Sequence, residues 1–411
     1  MDKLLRQHAE YIVKQAISAV LPDEAVRAAL KGKSFPGSVI LVAAGKAAWQ
    51  MAKTAWDCMA GKIHSGIVIT KYDHTRGPIG DLQIYEAGHP VPDENGFAAT
   101  RMAMELVRDL SAEDTVLFLL SGGGSALFEL PLISGGELQS VTDQLLASGA
   151  DICEINTIRK RLSGVKGGKF ALACQPAQVY SIVLSDVLGD RLDVIASGPA
   201  YPDSSTSAEA VSIAQQYGLA LSEAAWSLLK QETPKRLTNV TTTVNGSVRQ
   251  LCDAAADACR DLGYETCILT DQLTCEAKQA GAMLVQKLQE NRNSSKPLAF
   301  IAGGETVVKL TGNGKGGRNQ ELALSAALGI QDIEGAAVFS VGSDGTDGPT
   351  DAAGGYVDHT TAQTLEAKGI DISEKLSEND SYHALRAVDG LIMTGPTGTN
   401  VNDVSVALVR R

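Results

Sequence analysis

The chain has no surplus of positive charge: 36 lysines and arginines stand against 48 aspartates and glutamates, a formal net charge of −12. Non-specific nucleic-acid binding needs a basic footprint, so no nucleic-acid partner is expected. An anionic small molecule stays within reach, because a few cations can dominate the field inside one cleft. No apolar run approaches the roughly 20 residues of a membrane span. Residues 1–30 lack both the apolar core of a signal peptide and the acid-poor, arginine-rich make-up of a transit peptide. A cytoplasmic protein without membrane contact is expected. The seven cysteines show no zinc spacing, and their odd number suits a reducing compartment. The four from Cys252 to Cys275 read as small buried hydrophobes. GxxxxGK[ST], GxSxG, HExxH and the HRD/DFG pair are all missing, which removes the P-loop, hydrolase, zincin and protein-kinase readings.

Glycine is what the chain has in excess: 41 residues, gathered in loops that follow apolar runs. Short β-branched runs at 38–44, 66–70, 82–87, 115–120 and 179–184 alternate with helical patterns at 46–59, 95–110, 136–148 and 156–173. Strands apolar on both faces and separated by helices imply a doubly wound α/β domain built on a parallel sheet. A helical stretch at 207–230 closes this half, and the polar segment 231–239 reads as a linker. A second α/β unit follows, with strands at 240–244, 265–270, 298–302, 306–310, 337–341, 391–393 and 404–409, and helices at 247–262, 276–290 and 319–328. The expected organisation is 1–235 and 236–411, two α/β domains with the functional site in the cleft between them.

Several loops carry chemistry. Strand 38–44 runs into Gly45-Lys46 and a helix, a junction that suits an anion, although a lone lysine there is commonly just solvated. Strand 115–120 ends in Ser121, Gly122, Gly123, Gly124 and Ser125, whose amides and hydroxyls can wrap phosphate or carboxylate oxygens. Strand 179–184 leads to Asp186 and Asp190, four apart; they could hold a divalent ion, act as base and orienter, or simply cap a turn. The basic stretch 156–169 reads as a solvated helix face.

Later come GGETVVKLTGNGKGGR, with Glu305, Gly314, Lys315, Gly316, Gly317 and Arg318, and GSDGTDGPTDAAGG, with Asp344, Asp347 and Asp351. Cations flanked by glycines plus clustered carboxylates equip a chain for phosphoryl transfer. The GxGxxG at 312–317 makes a poor dinucleotide fingerprint. Its preceding strand looks antiparallel-paired, Lys315 charges the loop, and the next acidic strand end comes late. His89, in Gly-His-Pro with no partner visible in the sequence, reads as structural.

The order of LSGGGSALFELP, IRKRLSGVKGGK, SDVLGDRLDVIASGPA, GGETVVKLTGNGKGGRNQELAL, GSDGTDGPTDAAGG and GPTGTNVNDV resembles the glycerate 2-kinase family over nearly the whole chain. The resemblance implies two α/β domains, the N-terminal one Rossmann-like and the C-terminal one containing a MOFRL module at about 297–408. It also implies ATP-dependent phosphorylation of D-glycerate to 2-phosphoglycerate with Mg²⁺ or another divalent cation. The family's Gly-Lys motif falls on Lys46 and its GGRNQE arginine on Arg318. With them, Asp186 completes the expected catalytic set. Residues 121–125, Glu305 and residues 314–317 would bind the nucleotide, and Asp190 and Asp344 the metal. The partners implied are D-glycerate and ATP, and a homodimer is compatible. Because family members carry the label hydroxypyruvate reductase, an NAD(P)H-dependent reductase is the alternative.

Overall fold

Val39–Ala44 and Thr115–Leu120 are buried at every position in the computed structural model, which describes residues 1–59, 61–189 and 191–410. Their side chains nonetheless divide by parity. Ile40, Val42, Ala44, Val116, Phe118 and Leu120 enter one core, whereas Val39, Leu41, Ala43, Leu117 and Leu119 enter another. A strand covered on both faces needs apolar residues at both parities, which is why these segments read as unbroken hydrophobic runs. Each fully buried large aliphatic or aromatic side chain contributes about 1.5–3 kcal/mol.

The first sheet contains β1 (Val39–Ala44), β2 (Ile63–Lys71), β3 (Gln83–Ala87), β4 (Thr115–Leu120), β5 (Gln178–Val183) and β6 (Val240–Val244) in the order β3-β2-β1-β4-β5-β6. Every pairing is parallel, so all six strands end at one edge. Here the structure corrects an expectation: β6 is the edge strand of this sheet and does not open the second unit. The compact unit around it spans Ala25–Asn245.

The other compact unit joins Met1–Glu24 to Gly246–Arg411, so the first helix, Lys3–Ala19, belongs with the later half of the chain. Its mixed sheet holds β7 (Glu265–Leu273), β8 (Leu298–Gly304), β9 (Ala336–Gly342), β10 (Gly354–Asp358), β11 (Leu391–Ile392) and β12 (Asp403–Val409), ordered β11-β10-β9-β12-β8-β7. Helices Ala277–Glu290 and Arg318–Ile330 supply the core on one face.

Other departures from the sequence reading have local causes. The helix expected over 156–173 is two helices, Ile152–Leu162 and Lys169–Ala173, divided where Gly167 and Gly168 adopt φ of 60° and 83°. The 207–230 pattern likewise breaks into Ser207–Gln216 and Glu223–Leu229, with Ser222 capping the second. No strand forms over 306–310: Val307 makes a single bridge to Glu276, and Leu310 is 79% exposed. β10 was not foreseen because its Gly354-Gly355 start reads as loop. A β-carbon on Gly354 would lie 1.9 Å from Ser340 O, so the pairing with β9 requires glycine.

Helix Arg318–Ile330 is capped by a carboxylate from a distant loop. Asp347 accepts from Asn319 N at 3.1 Å and from Gln320 N at 2.9 Å while only 2% exposed. Burial outweighs these bonds and raises its carboxyl from 3.8 to about 6. Between those values the folded protein holds a proton that the unfolded chain has released, so this group's contribution to stability is lost as pH rises through about 6. Asp347→Asn removes that titration. Unfolding free energies followed by denaturant titration from pH 4 to 7 should shift in the variant's favour, relative to wild type, by on the order of 2–3 kcal/mol. A pH-independent difference would show that Asp347 titrates normally.

Candidate active site

The strand order of the first sheet sends the chain from β1 towards β2 and from β4 towards β5, in opposite directions. Such a switch point opens a crevice at the carboxyl ends of the two strands, where α/β ligands bind. Gly45 and Lys46 follow β1; Ser121, Gly122 and Gly123 follow β4. The two turns are stitched together. Lys46 N–H donates to Gly122 O at 2.9 Å and Ala47 N–H to Ser121 Oγ at 3.0 Å, while Thr70 Oγ1 of the neighbouring β2 donates to Gly45 O at 3.0 Å. Gly45 has φ 126°, and a β-carbon on it would lie 2.2 Å from Ser121 Oγ. Ser121 therefore spends its hydroxyl on the turn.

Around the glycines stand charged and titratable groups. A β-carbon on Gly122 would lie 2.5 Å from Asp186 Oδ2, so that carboxylate rests against the loop. On Gly123 it would lie 3.1 Å from His89 Nε2 and 3.3 Å from Lys46 Cγ. Lys46, Gly122, Gly123 and Asp186 thus come together, and His89 joins them. Burial first, then the Lys46, Lys71 and His74 charges, hold the His89 imidazole below its ordinary pKa. The backbone amides of Gly122 and Gly123 donate to no other described group. Asp190 lies outside the described residues.

The loop rests on buried cations. Lys166 Nζ donates to Ser125 O at 2.9 Å and to Phe128 O at 3.1 Å, and Arg159 Nη2 donates to Ser125 O at 3.0 Å. Glu129, fully buried, faces Lys166 at 3.4 Å and Arg159 at 4.0 Å. Burial pushes the Lys166 ammonium down to about 8 despite Glu129. Lys160 pairs with Asp203 at 3.0 Å, and Arg161 binds Ser205. Lys160, Arg161 and Lys166 are 4%, 1% and 0% exposed. The expectation of a solvated basic face is therefore overturned, since each cation has a carbonyl or carboxylate to meet.

In the other unit, β8 and β9 both run antiparallel to β12 between them, which places Asp403 in register with Gly304 and Gly342. Glu305 and Asp344 lie just past those glycines. Arg318 donates to both oxygens of Asp403 (Nε to Oδ2, 2.6 Å; Nη2 to Oδ1, 3.0 Å) and through Nη1 to Glu305 at 2.8 Å. Burial disfavours its charge, but the Asp403 bonds and the Asp403, Glu305 and Asp347 charges prevail and raise its pKa. Burial also raises Asp403, against Arg318.

Part of the expected phosphate loop is already engaged. Gly314 N–H donates to Glu378 O at 2.7 Å and Lys315 N–H to Asp380 Oδ1 at 3.1 Å, so neither amide is open to a ligand. Gly316 and Gly317 make room for Ser381 and Asp347, whose atoms lie 2.2 and 2.3 Å from where β-carbons would be. Lys315 Nζ sits 4.5 Å over the Tyr382 ring. Asp344 accepts from Thr346 N at 2.9 Å. Among the described residues no group of three or more His, Cys, Asp or Glu is arranged to hold a metal ion. Asp403 was not singled out from the sequence, where its one signal is an acid opening the last strand, and His89, read there as structural, stands here beside the glycine run.

Comparison with known proteins adds to this geometry. The family model described as "domain of unknown function (DUF4147)" matches residues 8–230, and the MOFRL family model matches residues 298–403. The chain is 55% identical to D-glycerate 2-kinase of Thermotoga maritima, covering 98% of each chain. It is 40% identical to glycerate 2-kinase of Pyrococcus horikoshii, over 98% of this chain and 97% of that one. A crystal structure of glycerate kinase from Thermotoga maritima superposes with TM-score 0.95 at 54% identity, covering 99% of this chain and 100% of that one. Two family models in this order, and identity of that depth along both chains, establish that the chain belongs to the glycerate 2-kinase family.

Proposed function

We propose that the protein transfers the γ-phosphoryl group of ATP to the 2-hydroxyl of D-glycerate, giving 2-phosphoglycerate and ADP. The observation that carries this reading is the meeting of Lys46, the glycine run and Asp186 at the switch point of the parallel sheet. Phosphoryl transfer asks a protein chiefly for positioning and charge neutralisation. Gly122 and Gly123 offer amides and no side chains where phosphate oxygens must approach the backbone. Asp186 orients the substrate hydroxyl and accepts its proton. The alkoxide oxygen then bonds to the γ-phosphorus as the bond to the β-phosphate bridging oxygen breaks, and Lys46 neutralises the charge on the group in transit.

Mg²⁺, when bound, would neutralise phosphate oxygens. It commonly takes only one or two protein carboxylates beside substrate phosphates and water, which is compatible with the lack of a full cage among the described residues. Asp344 is the described carboxylate assigned to it. Three of the five Arg318 N–H groups are spent on Asp403 and Glu305, which leaves donors for a phosphate oxygen in a fixed orientation. A cytoplasmic location fits the seven cysteines, all of them free thiols. No described helix is long and apolar enough to cross a membrane.

Purified protein with ATP, Mg²⁺ and D-glycerate should yield ADP and 2-phosphoglycerate, read by coupled assay and by phosphorus NMR. Oxidation of reduced nicotinamide by hydroxypyruvate in place of ADP formation would make it a reductase. Lys46→Met keeps the aliphatic stem and removes the charge of an exposed residue, so thermal stability should hold while kcat falls roughly a hundredfold. An unchanged kcat would return Lys46 to the solvated lysines. Arg318→Lys keeps a charge but cannot span Asp403 and Glu305 together; turnover should drop by about tenfold or more. Activity close to wild type would show that the planar fork is dispensable.

A further inference from the structure

Five neighbouring strands of the first sheet end in a graded row. Taken across the edge in the order β3-β2-β1-β4-β5, the groups at or just past the strand ends are His89, Lys71, Lys46, the Gly122–Gly124 run and Asp186. Lys71 is the last residue of β2 and pairs with Ala87, the last of β3, two residues before His89. Parallel strands lie about 4.8 Å apart, so Lys71 and Lys46 stand on one side of a side-chain-free middle and Asp186 on the other. In a chain of net charge −12, two of these cations stand out. Neither the Lys46 nor the Lys71 ammonium has a hydrogen-bond or ion-pair partner among the described residues.

We propose that Lys71 and His89, beside Lys46, form the subsite that takes the carboxylate of the hydroxy-acid substrate. The inference rests on the kinase reading and names what selects an acid over a plain polyol. His89 packs against Gly123 and Asp186 against Gly122, consecutive residues whose α-carbons are about 3.8 Å apart. A three-carbon hydroxy acid spans such a gap, with its carboxylate towards the cations and its hydroxyl towards Asp186. Burial first, then the Lys46 and Lys71 charges, lower the pKa of the half-buried imidazole and so favour its neutral form, which donates one N–H without adding a further charge. A carboxylate held by an otherwise unpaired ammonium gains a charge-assisted hydrogen bond, which a neutral analogue forfeits.

Lys71→Met and His89→Asn test this. Each should raise the KM for D-glycerate by roughly tenfold or more, the size of one lost hydrogen bond to a charged group, and leave the KM for ATP and the Tm unchanged. Lys71→Arg should restore most of the loss, which a purely structural role would not predict. Calorimetric titration of D-glycerate, and of glycerol as the neutral control, into nucleotide-free wild type and variants gives an independent readout. Preference for glycerate over glycerol should fall in Lys71→Met by about the same factor as the KM rises. An unchanged glycerate KM, or a rise confined to the KM for ATP, would overturn the assignment; the latter result would make these cations phosphate ligands. If wild type forms no phosphoglycerate, the kinase reading fails, and the titration still decides whether the row binds a carboxylate.

Discussion

The absence of a side chain at Gly45 is the constraint on which the first unit's site depends. β1 and β4 are adjacent parallel strands, and their following turns must cross within hydrogen-bonding distance for Lys46 N–H to reach Gly122 O. Any β-carbon at Gly45 would collide with Ser121 Oγ and the Ser121 carbonyl, at 2.2 and 2.5 Å. The positive φ at that residue turns the chain so that Lys46 projects beside Gly123. Asp186 and His89, arriving from beyond the ends of β5 and β3, then rest against Gly122 and Gly123.

A second constraint acts from below. The one-turn helix Gly124–Leu127 ends inside the protein, where its free carbonyls would otherwise be unsatisfied. Lys166 and Arg159 meet those carbonyls, and Glu129 offsets the resulting charge. Burying two cations with one carboxylate is weak support for stability, because desolvation consumes most of the attraction. What the arrangement secures is orientation: a loop held by fixed charges reorganises little when an anion arrives. That property serves electrostatic stabilisation of a transferring phosphoryl group.

How much of this was legible in the sequence follows from the same physics. Strands buried on both faces announced themselves as apolar runs, and three of the five loops that carry the first unit's groups, those of Lys46, Gly122–Gly124 and Asp186, were read at the strand ends where they occur. β10 escaped because backbone-to-backbone contact with Ser340 demands glycine, and glycine reads as loop. Lys160 and Lys166 escaped because a helical run of charges is ordinarily solvated; their partners Asp203 and Glu129 lie 43 and 37 residues away in sequence. His89 and Asp403 escaped for a related reason. Each is set by strand order beside residues that no local pattern connects to it.

Lys46 and Arg318, alike in sign, are placed in opposite electrostatic settings. Arg318 is clamped by Asp403 and Glu305, with Asp347 adding to the field, so its own surroundings more than neutralise its charge. A cation so held adds little net attraction for an anion. Lys46 is exposed and without a partner among the described residues, so its charge is fully available to an incoming anion and is screened only by water. Exclusion of that water on substrate binding would strengthen the Lys46 interaction far more than any made by Arg318, because Coulomb energy rises as the local dielectric falls. Lys46 is therefore the residue whose attraction for an anion should grow most as water is excluded from around it.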